Sequence, residues 1–341
     1  MSEINTDKYL EYAYTYDLSD LHLKTGNHPF GRKLGRLFTI SEAVVSDEDV
    51  INFNNKYSIR KIGINDKTTV NDFSFNYKDV RFRANVYHDY NGFCISLRQL
   101  KLFSTDLAVL GVPESIKDLV LKPNGLILIT GPTGSGKSTT LAALVDLLNK
   151  NTTKHIITVE EPIEYVFKSD KSLITQREVG IDAESFESAI IDSVREDPDV
   201  IIVGEMRDRN SIESALVAAE TGHLVLSTLH TRNATSTVSR IIDMFESDKQ
   251  NQILNQLSTT LLAVLSQQLL PSIDNSKLHL ATEYMIVNNA VASNIKQNKT
   301  QMIANMIGLG KKDGMHLMED SINELSSKGL ISEDTVIKYR I

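Results

Sequence analysis

Nine residues constrain this 341-residue chain more than any others: Gly131-Pro132-Thr133-Gly134-Ser135-Gly136-Lys137-Ser138-Thr139. They follow a continuous apolar run, Leu126-Ile-Leu-Ile129, and lead into a helical pattern that reaches Asn149. The stretch fits G-x-x-x-x-G-K-[ST], and a strand before it and a helix after it are the context that pattern requires. Glycines let the backbone turn sharply and aim its N–H groups inward, while the helix N-terminus adds partial positive charge. Lys137 is placed to pair with β- and γ-phosphates, and the Ser138 hydroxyl to hold Mg²⁺. A glycine-rich turn that binds nothing is the competing reading, and it has no need of the strand and helix. The loop implies a nucleoside triphosphate but no particular reaction. An Asn-Lys-x-Asp base-reading tetrad, common in GTPases, does not occur in the chain. Small-molecule kinases are shorter and need a lid. ATP hydrolysis coupled to motion is the reading that remains.

From residue 114 onward, short apolar runs alternate with helical patterns. The further runs are Ile156-Ile-Thr-Val159, Val200-Ile-Ile-Val203 and Leu224-Val-Leu226. Such runs between helices predict a parallel sheet covered on both faces, with ligands at the carboxyl ends of its strands. Chemistry-bearing residues follow each run. Thr158-Val-Glu160-Glu161-Pro-Ile-Glu164 places carboxylates at the sheet edge, where Pro162 ends the strand. Hydrolysis needs a carboxylate to orient or deprotonate water and others to support the metal, and Glu160 and Glu164 are the candidates. Taken alone, three glutamates around a proline also fit a solvated turn. Asp199-Val-Ile-Ile-Val-Gly-Glu205-Met-Arg207-Asp208 is a Walker-B-like strand with Gly204-Glu205 where an Asp is usual, which makes Glu205 a further catalytic and metal candidate. Thr221-Gly-His223 and Leu229-His230-Thr231 flank another strand. His223 and His230 are candidates to donate to a γ-phosphate or to link nucleotide state to neighbouring segments, although a structural role fits either one taken alone.

Residues 1–100 predict a small α+β unit. Asp7 to Asp17 suits a short helix. Asp20-Leu-His-Leu23, Asp72-Phe-Ser-Phe-Asn-Tyr77 and Val80-Arg-Phe-Arg-Ala-Asn-Val86 alternate as half-buried strands do, and Phe93-Cys-Ile-Ser-Leu97 is another strand. Gly26, Pro29 and Gly31 mark a turn. Residues 101–113 are a candidate linker, and the pattern from Glu283 on is mostly helical. The expected division is 1–100, 101–113 and 114–341.

A single cysteine, Cys94, excludes an internal disulfide framework and a multi-cysteine zinc site. With 44 acidic against 36 basic residues, the balance argues against a nucleic-acid coat. Residues 1–16 do not resemble a secretory signal. No apolar run approaches the ~18–20 residues that span a bilayer. A cytoplasmic location is expected.

The order of these motifs resembles the secretion ATPase superfamily of type IV pili and type II secretion, and within it the PilT-like retraction branch. Ser19-Asp-Leu-His22 resembles its N-terminal signature and residues 131–138 its Walker A. Glu160-Glu-Pro-Ile-Glu164 resembles its Asp box, Gly204-Glu-Met-Arg-Asp208 its atypical Walker B and 221–230 its His box. Asp197-Pro-Asp199 and Ser266-Gln-Gln-Leu-Leu-Pro271 match as well. The resemblance implies a PAS-like α+β N-terminal domain followed by a RecA-like P-loop ATPase domain, and a homohexamer with ATP between the two domains. It implies that arginines of the first domain reach the phosphates; Arg81, Arg83 and Arg98 occupy the matching strands. From the residues alone, Arg81 and Arg83 also fit a solvated strand face. It further implies ATP and Mg²⁺ as cofactors and an inner-membrane pilus platform protein as partner. Nucleic acid is not an expected partner, and contact with the cytoplasmic face of the inner membrane is expected only through partners. Assembly and type II secretion ATPases carry a tetracysteine element that this chain lacks, which favours pilus retraction. Substrate export in a related secretion system and a non-hydrolysing nucleotide-binding scaffold are the alternatives. Where the retraction branch has alanine–isoleucine–arginine, this chain has Ala290-Val-Ala292.

Overall fold

Alternation of apolar and polar residues builds the first of two units, as seen in a computed structural model that describes residues 7–33, 36–100 and 106–339. The first unit takes in Met1–Phe103 and Pro162–Tyr165. Its strands are β1 (Asp20–Lys24), β2 (Phe30–Lys33), β3 (Arg36–Thr39), β4 (Asn71–Tyr77), β5 (Val80–Asp89) and β6 (Gly92–Leu100). They form an antiparallel sheet in the order β3-β2-β1-β6-β5-β4. Leu21, Leu23, Phe73, Phe75, Phe82, Ala84, Val86, Ile95 and Leu97 point to one face and are buried with Leu10, Val50 and Phe53 from helices Asp7–Thr15 and Asp47–Tyr57. The second helix starts at a capping box in which the Ser46 hydroxyl accepts from the Asp49 N–H. Gly31, expected in a turn, lies inside β2. Short strands such as β2 and β3 carry too little alternation to be recognised from sequence.

The second unit takes in Ser104–Glu161 and Val166–Ile341. Its strands are β7 (Gly125–Thr130), β8 (His155–Glu160), β9 (Leu173–Glu178), β10 (Val200–Val203), β11 (Leu224–Leu229), β12 (Leu261–Pro271) and β13 (Leu278–Ile286). The order is β13-β12-β7-β11-β10-β8-β9, parallel except for the antiparallel β12–β13 pair. Successive residues of β7 enter opposite cores: Leu126 and Leu128 join one cluster, Ile127 and Ile129 the other. Covered faces explain why these strands are continuously apolar. Each fully buried aliphatic side chain contributes about 1.5–3 kcal/mol. From Glu283 the described chain is mostly helical, as expected, although 283–286 still end β13 and helix begins at Asn289–Lys296. Of the candidate linker, 101–105 lies outside the described residues. In the rest, helix Leu107–Leu110 buries Leu107 in a core of the second unit.

Candidate nucleotide site

Parallel pairing puts the carboxyl ends of β7, β8, β10 and β11 along one edge of the sheet, so the segments that follow them come together. The loop after β7 opens with Gly131 at φ 147°. A Cβ there would sit 2.4 Å from the Gln267 carbonyl oxygen of β12 and 2.5 Å from Ser135 Oγ, so only glycine fits. The loop ends at Gly136, the N-cap of helix Lys137–Asn151, which has no side chain to cap it. A helix N-terminus behind a glycine-rich loop suits an anionic ligand. Ser135 Oγ is buried without a hydrogen-bond partner, a polar atom facing a loop that suits phosphate oxygens. Lys137 is buried, and its Nζ donates to the Gly131 and Pro132 carbonyls at 2.8 and 3.0 Å. Pro132, Thr133, Gly134 and Ser138 are exposed, and Thr139 is half-buried. Two side-chain bonds tie the loop region to β12: Thr130 Oγ1 donates to Ser266 Oγ at 2.8 Å, and Gln267 Nε2 donates to Thr140 Oγ1 at 2.6 Å.

His230, at the end of β11, links this loop to the end of β10. Its Nδ1 lies 3.4 Å from Lys137 Nζ and its Nε2 2.7 Å from Glu205 Oε1. An ammonium can only donate, so this chain assigns Nδ1 as acceptor and places the ring proton on Nε2, toward Glu205. Glu205 Oε2 lies 3.0 Å from Nε of Arg207, whose Nη1 reaches Glu161 Oε2 at 3.2 Å. Glu160, ending β8, accepts from Thr158 Oγ1 at 2.7 Å and Gln176 Nε2 at 3.2 Å. Lys137, His230, Glu205, Arg207 and Glu161 thus form one connected polar chain. Arg207 and Glu161 are not among the sequence candidates; the signal that holds Arg207 is the Gly204-Glu-Met-Arg-Asp208 motif itself, and Glu161 stands beside a candidate, Glu160.

Other candidates lie elsewhere. His223 precedes β11, at the amino end of the strand, and its Nδ1 faces the Ala218 carbonyl at 3.0 Å. The length of the strand, ~20 Å, separates it from His230, so within one chain the two histidines stand at opposite ends of β11. Arg81, Arg83 and Arg98 share the polar face of the first unit's sheet. Arg83 stands directly opposite Arg98. Like charges in that register repel, and each has a nearby acid: Arg83 Nη2 donates to Asp72 at 2.6 Å, and Arg98 Nε to Asp20 at 3.0 Å. Arg81 Nε donates to the Ile163 carbonyl at 2.7 Å, and Arg83 Nη1 lies 3.7 Å from Glu164. Glu164 therefore belongs with the first unit's residues rather than with Glu160.

A parallel sheet with a glycine-rich loop leading into a helix N-terminus and with acidic strand ends defines a P-loop nucleotide-binding protein. The model of the type II/IV secretion system protein family matches residues 36–329, and the chain belongs to that family. It is 38% identical over 333 residues to the type IV pilus retraction ATPase PilT of Pseudomonas aeruginosa, covering 95% of each chain. It is 43% identical over 264 residues to a twitching motility protein of Neisseria gonorrhoeae, covering 77% of this chain and 71% of that one. The crystal structure of the pilus retraction motor PilT with bound ADP aligns at a TM-score of 0.87 and 38% identity, covering 97% of this chain and 95% of the other. Its architecture, an N-terminal domain followed by a RecA-like ATPase domain, is the one expected from the sequence. Among the described residues, no helix is long and apolar enough to cross a membrane.

Proposed function

We infer that this chain is an ATP-hydrolysing motor that retracts a type IV pilus. The observation that carries this reading is the match to a retraction ATPase at 38% identity over 95% of both chains. The P-loop supports the nucleotide part: residues 131–139 cradle the phosphates, with Lys137 turning from the Gly131 and Pro132 carbonyls to the β- and γ-phosphates. Among the described residues, no group of three His, Cys, Asp or Glu could hold a metal by itself. Hard oxygen donors, the Ser138 hydroxyl and the Glu205 carboxylate, suit Mg²⁺ shared with phosphate oxygens. Bound there, it would neutralise charge developing on the phosphates. Water attacks the γ-phosphorus, the bond to the β–γ bridging oxygen breaks, and a carboxylate among Glu160, Glu164 and Glu205 takes the water's proton. Arg81, Arg83 and Arg98 are the first unit's candidates to reach the phosphates.

Assembly as a homohexamer at the cytoplasmic face of the inner membrane, acting on a pilus platform protein, completes the reading. Deletion of the gene tests it through surface pili and twitching. Hyperpiliated, non-motile cells are expected. Bald cells would point to assembly, and unchanged piliation with lost export would point to a secretion machine.

A further inference from the structure

Glu205 leaves β10 with both carboxylate oxygens engaged, and its two partners differ in freedom. His230 follows the last residue of β11, and its Nδ1 lies 3.4 Å from Lys137 Nζ. The Arg207 side chain is 58% exposed, as is 45% of its second partner, Glu161. The backbone on either side of Arg207 is fixed. Met206 is buried and its N–H donates to the Thr228 carbonyl at 3.1 Å, while Asp208 caps helix Arg209–Glu220 by accepting from the Ser211 N–H at 2.9 Å. The side chain of Arg207 is therefore the movable part of the motif. A guanidinium fork suits a bridge between two carboxylates, and its charge at Glu205 opposes a divalent cation there.

We propose that Arg207 is a positioning residue that sets how strongly Glu205 supports the metal: shared between Glu205 and Glu161, it holds Glu205 in reserve, and Glu161 draws the guanidinium outward so that Glu205 can be released. The proposal rests on the nucleotide-site reading above. It makes opposite predictions for the two ends of the bridge. Removing Arg207 leaves Glu205 without its competing cation, so metal binding tightens. Removing the charge of Glu161 leaves Arg207 wholly to Glu205, so metal binding weakens.

The probe is Mn²⁺ binding to the full chain in the presence of a non-hydrolysable ATP analogue, followed by electron paramagnetic resonance. Arg207→Ala is expected to tighten Mn²⁺ about five-fold and Glu161→Gln to weaken it about two-fold, the range of partly exposed ion pairs. In the double variant the Glu161→Gln effect should vanish, because it acts only through Arg207. Wild-type affinity in both single variants, shifts of the same sign, or a Glu161→Gln effect that survives the loss of Arg207 would each overturn the proposal alone. A wild-type chain that binds no Mn²⁺ with the analogue would overturn the nucleotide-site reading and the proposal with it.

Discussion

Alanine at Gly131 should damage the loop far more than alanine at Gly134, and the structure sets the size of the difference. At Gly131 two costs combine. Its φ of 147° is a conformation that side-chain-bearing residues rarely adopt, which costs ~1–3 kcal/mol. The new Cβ would also meet the Gln267 carbonyl at 2.4 Å. That carbonyl belongs to the backbone of β12, which is paired with β7 on one side and β13 on the other, so it cannot retreat cheaply. Overpacking of this kind adds ~1–3 kcal/mol, for a total of about 2–6 kcal/mol. At Gly134 the φ is 78° and no atom lies within 4 Å of the carbon that alanine would add, leaving only the left-handed backbone cost of ~1–2 kcal/mol. Melting followed by circular dichroism measures the difference, because ~1 kcal/mol moves Tm by about 2–4 °C in a domain of this size. Gly131→Ala should melt several degrees below Gly134→Ala. Equal melting temperatures would refute the close approach of β12 to the loop.

Two further outcomes follow from buried groups. Burial holds the His316 imidazole below its ordinary value of 6.5, against weaker raising contributions that include Asp320 and Glu324. Its folded form resists protonation, so the stability it contributes is present above pH 6.5 and is lost as pH falls through the depressed value. His316→Gln should flatten that acid-side decline in Tm, and an unchanged slope would contradict it. Burial pushes the Cys94 thiol up, with Asp89 adding to the shift, and the side chain is 1% exposed. Cys94 should therefore react with a thiol reagent only after denaturation, and fast labelling of the native chain would be the contrary result.

Much of the architecture is legible in the sequence because it rests on local chemistry. The apolar runs at 126–129, 156–159, 200–203 and 224–226 are strands for the reason inferred, two covered faces. The carboxyl-edge rule brings Glu160, Glu205 and His230 toward the loop. The misses have physical causes. β9 lies at a sheet edge and is half-exposed, so its Leu-Ile-Thr-Gln-Arg-Glu sequence lacks a continuous apolar run. Gly31 resembles turn punctuation, yet it sits in β2 where a Cβ would meet Leu18 at 2.6 Å, a contact between elements that local pattern does not show. His223 and His230 look equivalent in sequence, and only the direction of β11 separates them. Arg207 is hidden because a bridge between Glu205 and Glu161 requires β8 and β10 to be neighbours, which the sheet order supplies and the sequence does not.

Steady-state phosphate release by the purified full chain with Mg²⁺ and ATP, compared with Lys137→Ala and Glu205→Ala, decides whether the loop and Glu205 hydrolyse ATP. Expected are turnover by the wild type, a fall of at least ~100-fold in each variant, and circular dichroism spectra of both variants that match the wild type. Retained turnover in both folded variants, or none in the wild type, would contradict that assignment.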